Sequence, residues 1–202
     1  ISHHASSVKM GVNKALFVVD MPKGTYNSAN NALKNARLIV KKTRCDAVKI
    51  EHYKNNSKIL KYLVKKKIPV MGHIGYTPQF KNKFKLEGQS TREINSLLDE
   101  AKLIEKAGAF AIVLECLTAK ASKIITNSVK IPTIGIGSSS YCDGQILVTD
   151  DMLGISGFYP KFVKKYLNLT KIIENAVKKY NRDVKLKKFP TKKYFLNGRK
   201  RK

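Results

Sequence analysis

The segment DAVKIEHY, residues 46–53, sets Lys49 and Glu51 two positions apart, interleaved with the apolar Val48 and Ile50. Side chains two apart on a strand point to the same side. An ammonium and a carboxylate therefore share one face of an otherwise apolar run, where an unpaired charge would be costly to bury. Two more carboxylates close apolar runs. Asp20 ends ALFVVD (15–20) and Glu115 ends AIVLE (111–115), while His73 lies near the end of PVMGHIG (69–75). The chain has only 14 acidic residues, so three of them closing separate hydrophobic runs ask for a chemical reason.

Carboxylates with additional oxygen ligands suit a hard divalent cation such as magnesium, which keeps waters or substrate oxygens in its shell. Asp20, Glu51 and Glu115 are the candidates, and structural ion pairs with neighbouring lysines are the alternative. Lys49, facing the same space, could hold a substrate carboxylate or stabilise an enolate as it forms. A Schiff-base role is the rival, although a Glu51 partner would keep the amine charged and poorly nucleophilic. His73 reads either as a hydrogen-bonded core residue or as a site residue, and the flanking Gly72 and Gly75 allow close backbone approach. GIGSSSYCDG (135–144) lacks the glycine spacing of a dinucleotide site, and no P-loop or Ser–His–Asp signature is present.

Positioning these side chains falls to an alternation of short apolar runs and helical patterns. Beside the runs above stand AVKIE (47–51), PTIGIG (132–137) and ILVTD (146–150), six in all. The clearest helix opens with Ser90 and Glu93 in capping-box spacing. It continues through Ile94, Leu97, Leu98 and Ala101 and stops at Gly108. A last helix carries Leu169, Ile172, Ile173, Ala176, Val177 and Tyr180 on one face. The alternation predicts an α/β fold with a parallel sheet. Polar residues at the carboxyl ends of the runs favour a barrel over an open doubly wound sheet. A complete (β/α)8 TIM-type barrel needs eight strands and typically about 250 residues. The expectation is therefore a barrel lacking its first two strands, with about six present: residues 1–182 form the incomplete catalytic barrel and 183–202 a basic C-terminal tail.

At 202 residues and 43% hydrophobic, the chain can bury one sizeable core. No run of eighteen apolar residues appears and the first residues lack a signal-peptide core, so a soluble, cytoplasmic protein is expected. Cys45, Cys116 and Cys142 form no CxxC pair and are expected to be reduced. The net charge of +26 would suit a polyanion partner. Most of it, however, is lysine scattered over helix faces, and only FLNGRKRK at the end is a compact basic run. A lysine-biased enzyme surface that draws in acidic metabolites is the preferred reading, with neither nucleic acid nor membrane as partner.

Taken together, VVDMP (18–22), VKIE (48–51), PVMGHIGYTPQ (69–79), VLEC (113–116), IPTIGIG (131–137), DGQILVTDDMLGI (143–155) and PKFVKKY (160–166) resemble the ketopantoate hydroxymethyltransferase family. DVKLKKFP (183–190) resembles that family's closing segment. The resemblance implies a (β/α)8 barrel, commonly assembled as a decameric homo-oligomer. It implies addition of a hydroxymethyl group from 5,10-methylenetetrahydrofolate to 3-methyl-2-oxobutanoate, with magnesium, giving 2-dehydropantoate in pantothenate biosynthesis. By motif position, Asp20 would be a metal ligand that also meets substrate, and Lys49 would bind substrate. Glu51 would serve the metal, Glu115 would accept the proton and His73 would line the substrate pocket. The chain departs from the family at several points. An earlier Asp–Ser pair has no counterpart, Lys23 follows Asp20-Met21-Pro22, and His52 and Tyr53 follow VKIE. GIGSSS replaces GIGAG, which would ask Ser139 to take a turn that glycine makes more easily. The alternatives are another magnesium-dependent, enolate-forming barrel enzyme, a lyase or mutase on small 2-oxo acids, and a non-catalytic basic binding protein.

Overall fold

The computed structural model describes residues 1–53 and 56–196. The basic run FLNGRKRK therefore lies mostly outside the described residues. The elements of the first compact unit, Ile1–Ile146, follow the expected alternation. They are α1 (Ser2–Gly11), β1 (Val18–Asp20), α2 (Ala29–Thr43), β2 (Ala47–Lys49), α3 (Ser57–Lys65), β3 (Val70–Gly75), α4 (Thr91–Lys106), β4 (Ala111–Glu115), α5 (Ala119–Ser128), β5 (Thr133–Ile136) and β6 (Gly144–Gln145).

All neighbouring strands pair in parallel, and their order in the sheet is their order in the chain, β1-β2-β3-β4-β5-β6. A doubly wound sheet would reverse direction at a switch point. This one never does. The six strands form a half-barrel, as the polar residues at the strand ends lead one to expect.

Strand alternation divides the sheet into two faces. Val19, Val48, Val70, Ile112 and Leu114 pack in one continuous cluster with Ala32, Leu33, Ala36 and Ile39 of α2, Leu60 and Leu63 of α3, Ile94, Leu97, Ala101 and Ile104 of α4, and Ile125 of α5. The residues between them on the strands, among them Lys49, His73 and Glu115, occupy the opposite face. Gly72 lets α4 lie close to the sheet: a Cβ there would stand 2.5 Å from Cγ2 of Ile104. Helix termini follow local chemistry as well. Ser28, Ser90 and Thr118 accept from the main-chain N–H three residues on, at α2, α4 and α5 respectively, satisfying donors that a helix N-terminus leaves unpaired. After α4 the chain turns at Gly108, φ +93°.

The run ILVTD corrects one expectation. The last strand is not 146–150 but Gly144–Gln145, and pairing ends where Ile146 N–H donates to Gly135 O at 3.0 Å. Thr149 already begins α6 (Thr149–Leu153), whose first turn carries Asp150 and Asp151, acidic residues that suit a helix N-terminus. Ile146 and Val148 are exposed, so the apolar run is not buried in the sheet.

The second compact unit, Leu147–Lys202, contains α6 and α7 (Leu169–Lys185). Helix α7 forms where the periodicity predicts it and runs unbroken through residues 182 and 183. Its apolar residues Ile172, Ile173, Val177 and Tyr180 are exposed. The three cysteines are free and buried, and among the described residues no helix is long and apolar enough to cross a membrane.

Ser90→Ala removes the α4 cap and should lower stability by about 1 kcal/mol. A shift of the urea unfolding midpoint, with unchanged denaturant slope, measures it.

Candidate active site

Four of the five singled-out residues form an unbroken chain of polar contacts along the sheet. Asp20 and Lys49 are register partners on β1 and β2, and Oδ1 of Asp20 lies 2.5 Å from Nζ of Lys49. Nζ of Lys49 lies 3.1 Å from Nδ1 of His73 on β3. Nε2 of His73 then lies 3.2 Å from Oε2 of Glu115 at the end of β4 and 3.0 Å from Tyr76 O. Lys49 therefore pairs with Asp20, which corrects the expectation of a Glu51 partner: that carboxylate projects beyond β2 to other donors. Asp20 takes the position beside the amine that Glu51 was expected to hold.

These contacts define the imidazole tautomer. An ammonium can only donate and a main-chain carbonyl can only accept. Nδ1 of His73 therefore accepts from Lys49, and Nε2–H is the donor directed at Tyr76 O and Glu115. The ring is buried at 2% exposure, while Lys49 and Glu115 retain 16% and 19% side-chain exposure. His73 is thus a bridge, and both ends of that bridge face accessible space.

Glu51 is held separately. It is 2% exposed, and its Oε2 accepts from the main-chain N–H of Gln79 at 3.1 Å. Burial raises its pKa above the ordinary 4.5, and the Asp20 carboxylate adds to the rise, while the Gln79 N–H and Lys49 oppose it. Asp20 and Glu51 thus feel one another's charge. Among the described residues no group of three or more His, Cys, Asp or Glu side chains gathers as a metal centre. The three carboxylates are divided instead among three partners: Lys49, Gln79 and His73.

Backbone geometry around Glu115 is tightly set. Gly75 takes φ +95°, and a Cβ on it would stand 2.2 Å from Glu115 O and 2.2 Å from Cδ1 of Leu117. Cys116, the next residue after Glu115, adopts φ +55°, a left-handed conformation that costs a non-glycine residue energy and collects at functional sites. Burial pushes its thiol up to about 12, so it is no nucleophile. Ser138 staples this turn: its hydroxyl donates to Leu114 O (2.7 Å) and accepts from Leu117 N–H (3.2 Å). The left-handed turn in GIGSSS is made by Gly137, φ +60°, and not by Ser139. Sequence reasoning missed Ser138, Gln79 and Tyr26, whose roles are hydrogen bonds to distant loops and leave no periodic signal. A cavity of about 500 Å³ also opens beside Thr77, Lys81, Glu87 and Glu100, and none of the five predicted residues lines it.

A sequence model of the ketopantoate hydroxymethyltransferase family matches residues 1–192. A 3-methyl-2-oxobutanoate hydroxymethyltransferase of Pelagibacter ubique is 51% identical over 191 residues, covering 95% of this chain and 74% of that protein. One from Clostridioides difficile is 47% identical over 199 residues, covering 96% of this chain and 72% of that protein. Among solved structures, a proposed phosphonomutase from Burkholderia cenocepacia is similar at TM-score 0.53 and 9% identity, covering 72% of this chain and 70% of that one. At that identity the likeness concerns the fold alone.

Gly75→Ala should cost roughly 3 kcal/mol, from strain at positive φ and from overpacking against Glu115, measured by chemical denaturation. For Glu51 the raised pKa means that the folded chain binds its proton more tightly than the unfolded chain does. The buried carboxylate therefore lowers stability above its folded pKa and costs nothing below the ordinary 4.5. In the presence of a chelator at mildly alkaline pH, Glu51→Gln should melt at a higher temperature than the wild type. Calorimetry should show that gap closing as the pH falls below 4.5.

Proposed function

Since the chain belongs to the ketopantoate hydroxymethyltransferase family, a family of transferases, we propose that it converts 3-methyl-2-oxobutanoate to 2-dehydropantoate in pantothenate biosynthesis. The one-carbon donor in this reading is 5,10-methylenetetrahydrofolate. The observation that carries it is the contact chain Asp20–Lys49–His73–Glu115 along the face of the half-barrel opposite the helices. It sets a cation that can meet an anionic substrate beside a carboxylate that can accept a proton.

Each residue has work suited to its surroundings. Lys49, paired with Asp20, faces the carboxylate of the 2-oxo acid and favours negative charge as it develops. Glu115 takes the proton from the carbon next to the keto group. The electron pair of that C–H bond forms the enolate, whose carbon bonds to the methylene carbon of the folate. Both C–N bonds of that methylene carbon break, and water supplies the product hydroxyl. The proton taken by Glu115 and the remaining proton of the water end on the two folate nitrogens. His73 donates through Nε2–H to Glu115 and so holds the base in one orientation. Tyr76 O shares that donor and fixes the ring.

Asp20 and Glu51 are the residues that would hold magnesium. Both offer hard oxygen donors, and Oε2 of Glu51 is taken by the Gln79 N–H while no hydrogen bond to its Oε1 is found among the described residues. One or two carboxylates are what magnesium takes when water and substrate complete its shell. When bound, the ion supplies Lewis-acid polarisation of the keto oxygen.

Glu115→Gln should slow deuterium exchange at the carbon next to the keto group of 3-methyl-2-oxobutanoate by about 10²–10⁴-fold, with magnesium binding retained. Proton NMR follows the exchange, and a mutant that exchanges at the wild-type rate places the base elsewhere. Turnover to 2-dehydropantoate should require the folate, whereas a lyase or mutase would turn over without it.

A further inference from the structure

Three loops of the half-barrel meet at Gln79. Its main-chain N–H donates to Oε2 of Glu51 (3.1 Å), beyond β2. Its side-chain NH₂ donates to Met21 O (3.1 Å), the residue directly after Asp20. Its side-chain oxygen accepts from the hydroxyl of Tyr26 (2.9 Å), on the loop after β1. These partners lie 28, 58 and 53 residues away in sequence, so the bonds close long loops and serve no local turn.

The chemistry of each partner specifies a glutamine. A main-chain carbonyl needs a donor and a phenol O–H needs an acceptor, and the glutamine amide offers both on one planar head. Glutamate would turn an acceptor towards Met21 O, and leucine would offer nothing to either partner. Tyr26 is itself 3% exposed and meets the ring of Phe80 edge-on at 6.1 Å between centroids. The brace therefore rests on a packed side chain and not on a mobile one.

We propose that Gln79 is a positioning residue for the two acidic side chains, and that Tyr26 locks it. With its side chain tied to Met21 and Tyr26, the main-chain N–H of Gln79 stays on Oε2 of Glu51. Oε1 is then the single oxygen of Glu51 presented to a divalent cation. The side-chain amide of the same residue holds the Met21–Pro22 peptide, one residue beyond Asp20, so Gln79 sets both carboxylates in relation to each other. This inference rests on the assignment of Asp20 and Glu51 to a cation.

The test is calorimetric titration of the full chain with Mg2+, with and without 3-methyl-2-oxobutanoate, alongside thermal melting. Outer partners of metal ligands typically contribute about 10–100-fold to affinity. Gln79→Leu and Gln79→Glu should both weaken Mg2+ binding by that factor, Tyr26→Phe should weaken it severalfold, and Glu51→Gln serves as the reference. If Glu51→Gln weakens Mg2+ binding while Gln79→Leu stays within twofold of wild type, the brace is overturned and the cation assignment stands. If Glu51→Gln leaves Mg2+ affinity unchanged, the cation assignment itself falls and takes the brace with it. Should Gln79→Leu fail to fold, Tyr26→Phe, which removes one oxygen atom, decides alone: unchanged Mg2+ affinity overturns the inference.

Discussion

An ammonium group set into one face of a parallel sheet constrains everything around it. Lys49 cannot be left unpaired there without a large desolvation cost. The structure meets that requirement with a carboxylate on one side, Asp20, and an imidazole lone pair on the other, His73. Occupying that lone pair forces the ring proton onto Nε2, which in turn turns a donor towards Glu115. One charge thereby fixes a tautomer and the orientation of the Glu115 carboxylate two strands away. The parallel register makes this possible, because it aligns Asp20 with Lys49 and Gly75 with Glu115 along one end of the sheet.

The fold separates stability from chemistry by strand alternation. One face of the sheet is aliphatic and packs continuously against α2, α3, α4 and α5, and this burial is the main source of stability. The opposite face is thereby left for polar residues. Where the two demands meet, the backbone is tight: Gly75 and Cys116, on either side of the Glu115 peptide, both take positive φ. Ser138 ties that turn from the next loop. The end of β4 that carries Glu115 is thereby held by β3, by its own turn and by the loop after β5.

Glu51 shows the opposite economy. It is a buried carboxylate whose charged form the fold disfavours, and a chain selected for stability alone would replace it with an uncharged isostere. Its retention beside Asp20 is understandable if a cation compensates both charges, which is the condition that the proposed reaction supplies. The surrounding net charge of +26 works in the same direction for the substrate, since a positive field raises the local concentration of small anions.

Much of this was legible in the sequence, because periodicity and strand-end position are local properties of the chain. Alternation of apolar runs and helical patterns determined the parallel α/β class. The polar closing residues picked out Asp20, Lys49, Glu51, His73 and Glu115, and the glycines beside His73 announced close approach. Local signals failed where local chemistry was ambiguous. ILVTD reads as a strand, yet Gly144–Gln145 pairs in its place, because the hydrogen-bond ladder from β5 is complete at Ile146. Pairing was harder still. Glu51 is nearer to Lys49 in sequence, but register delivers Asp20 to it, and no spacing along one strand encodes what a neighbouring strand places opposite. Gln79 and Tyr26 carry no pattern at all, since their bonds join loops 28 to 58 residues apart. The chain by itself determined which residues end each strand and which face each strand buries. Only the tertiary structure decided which charges meet, because that depends on the register of neighbouring strands and on loop closure, not on the order of residues within any one segment.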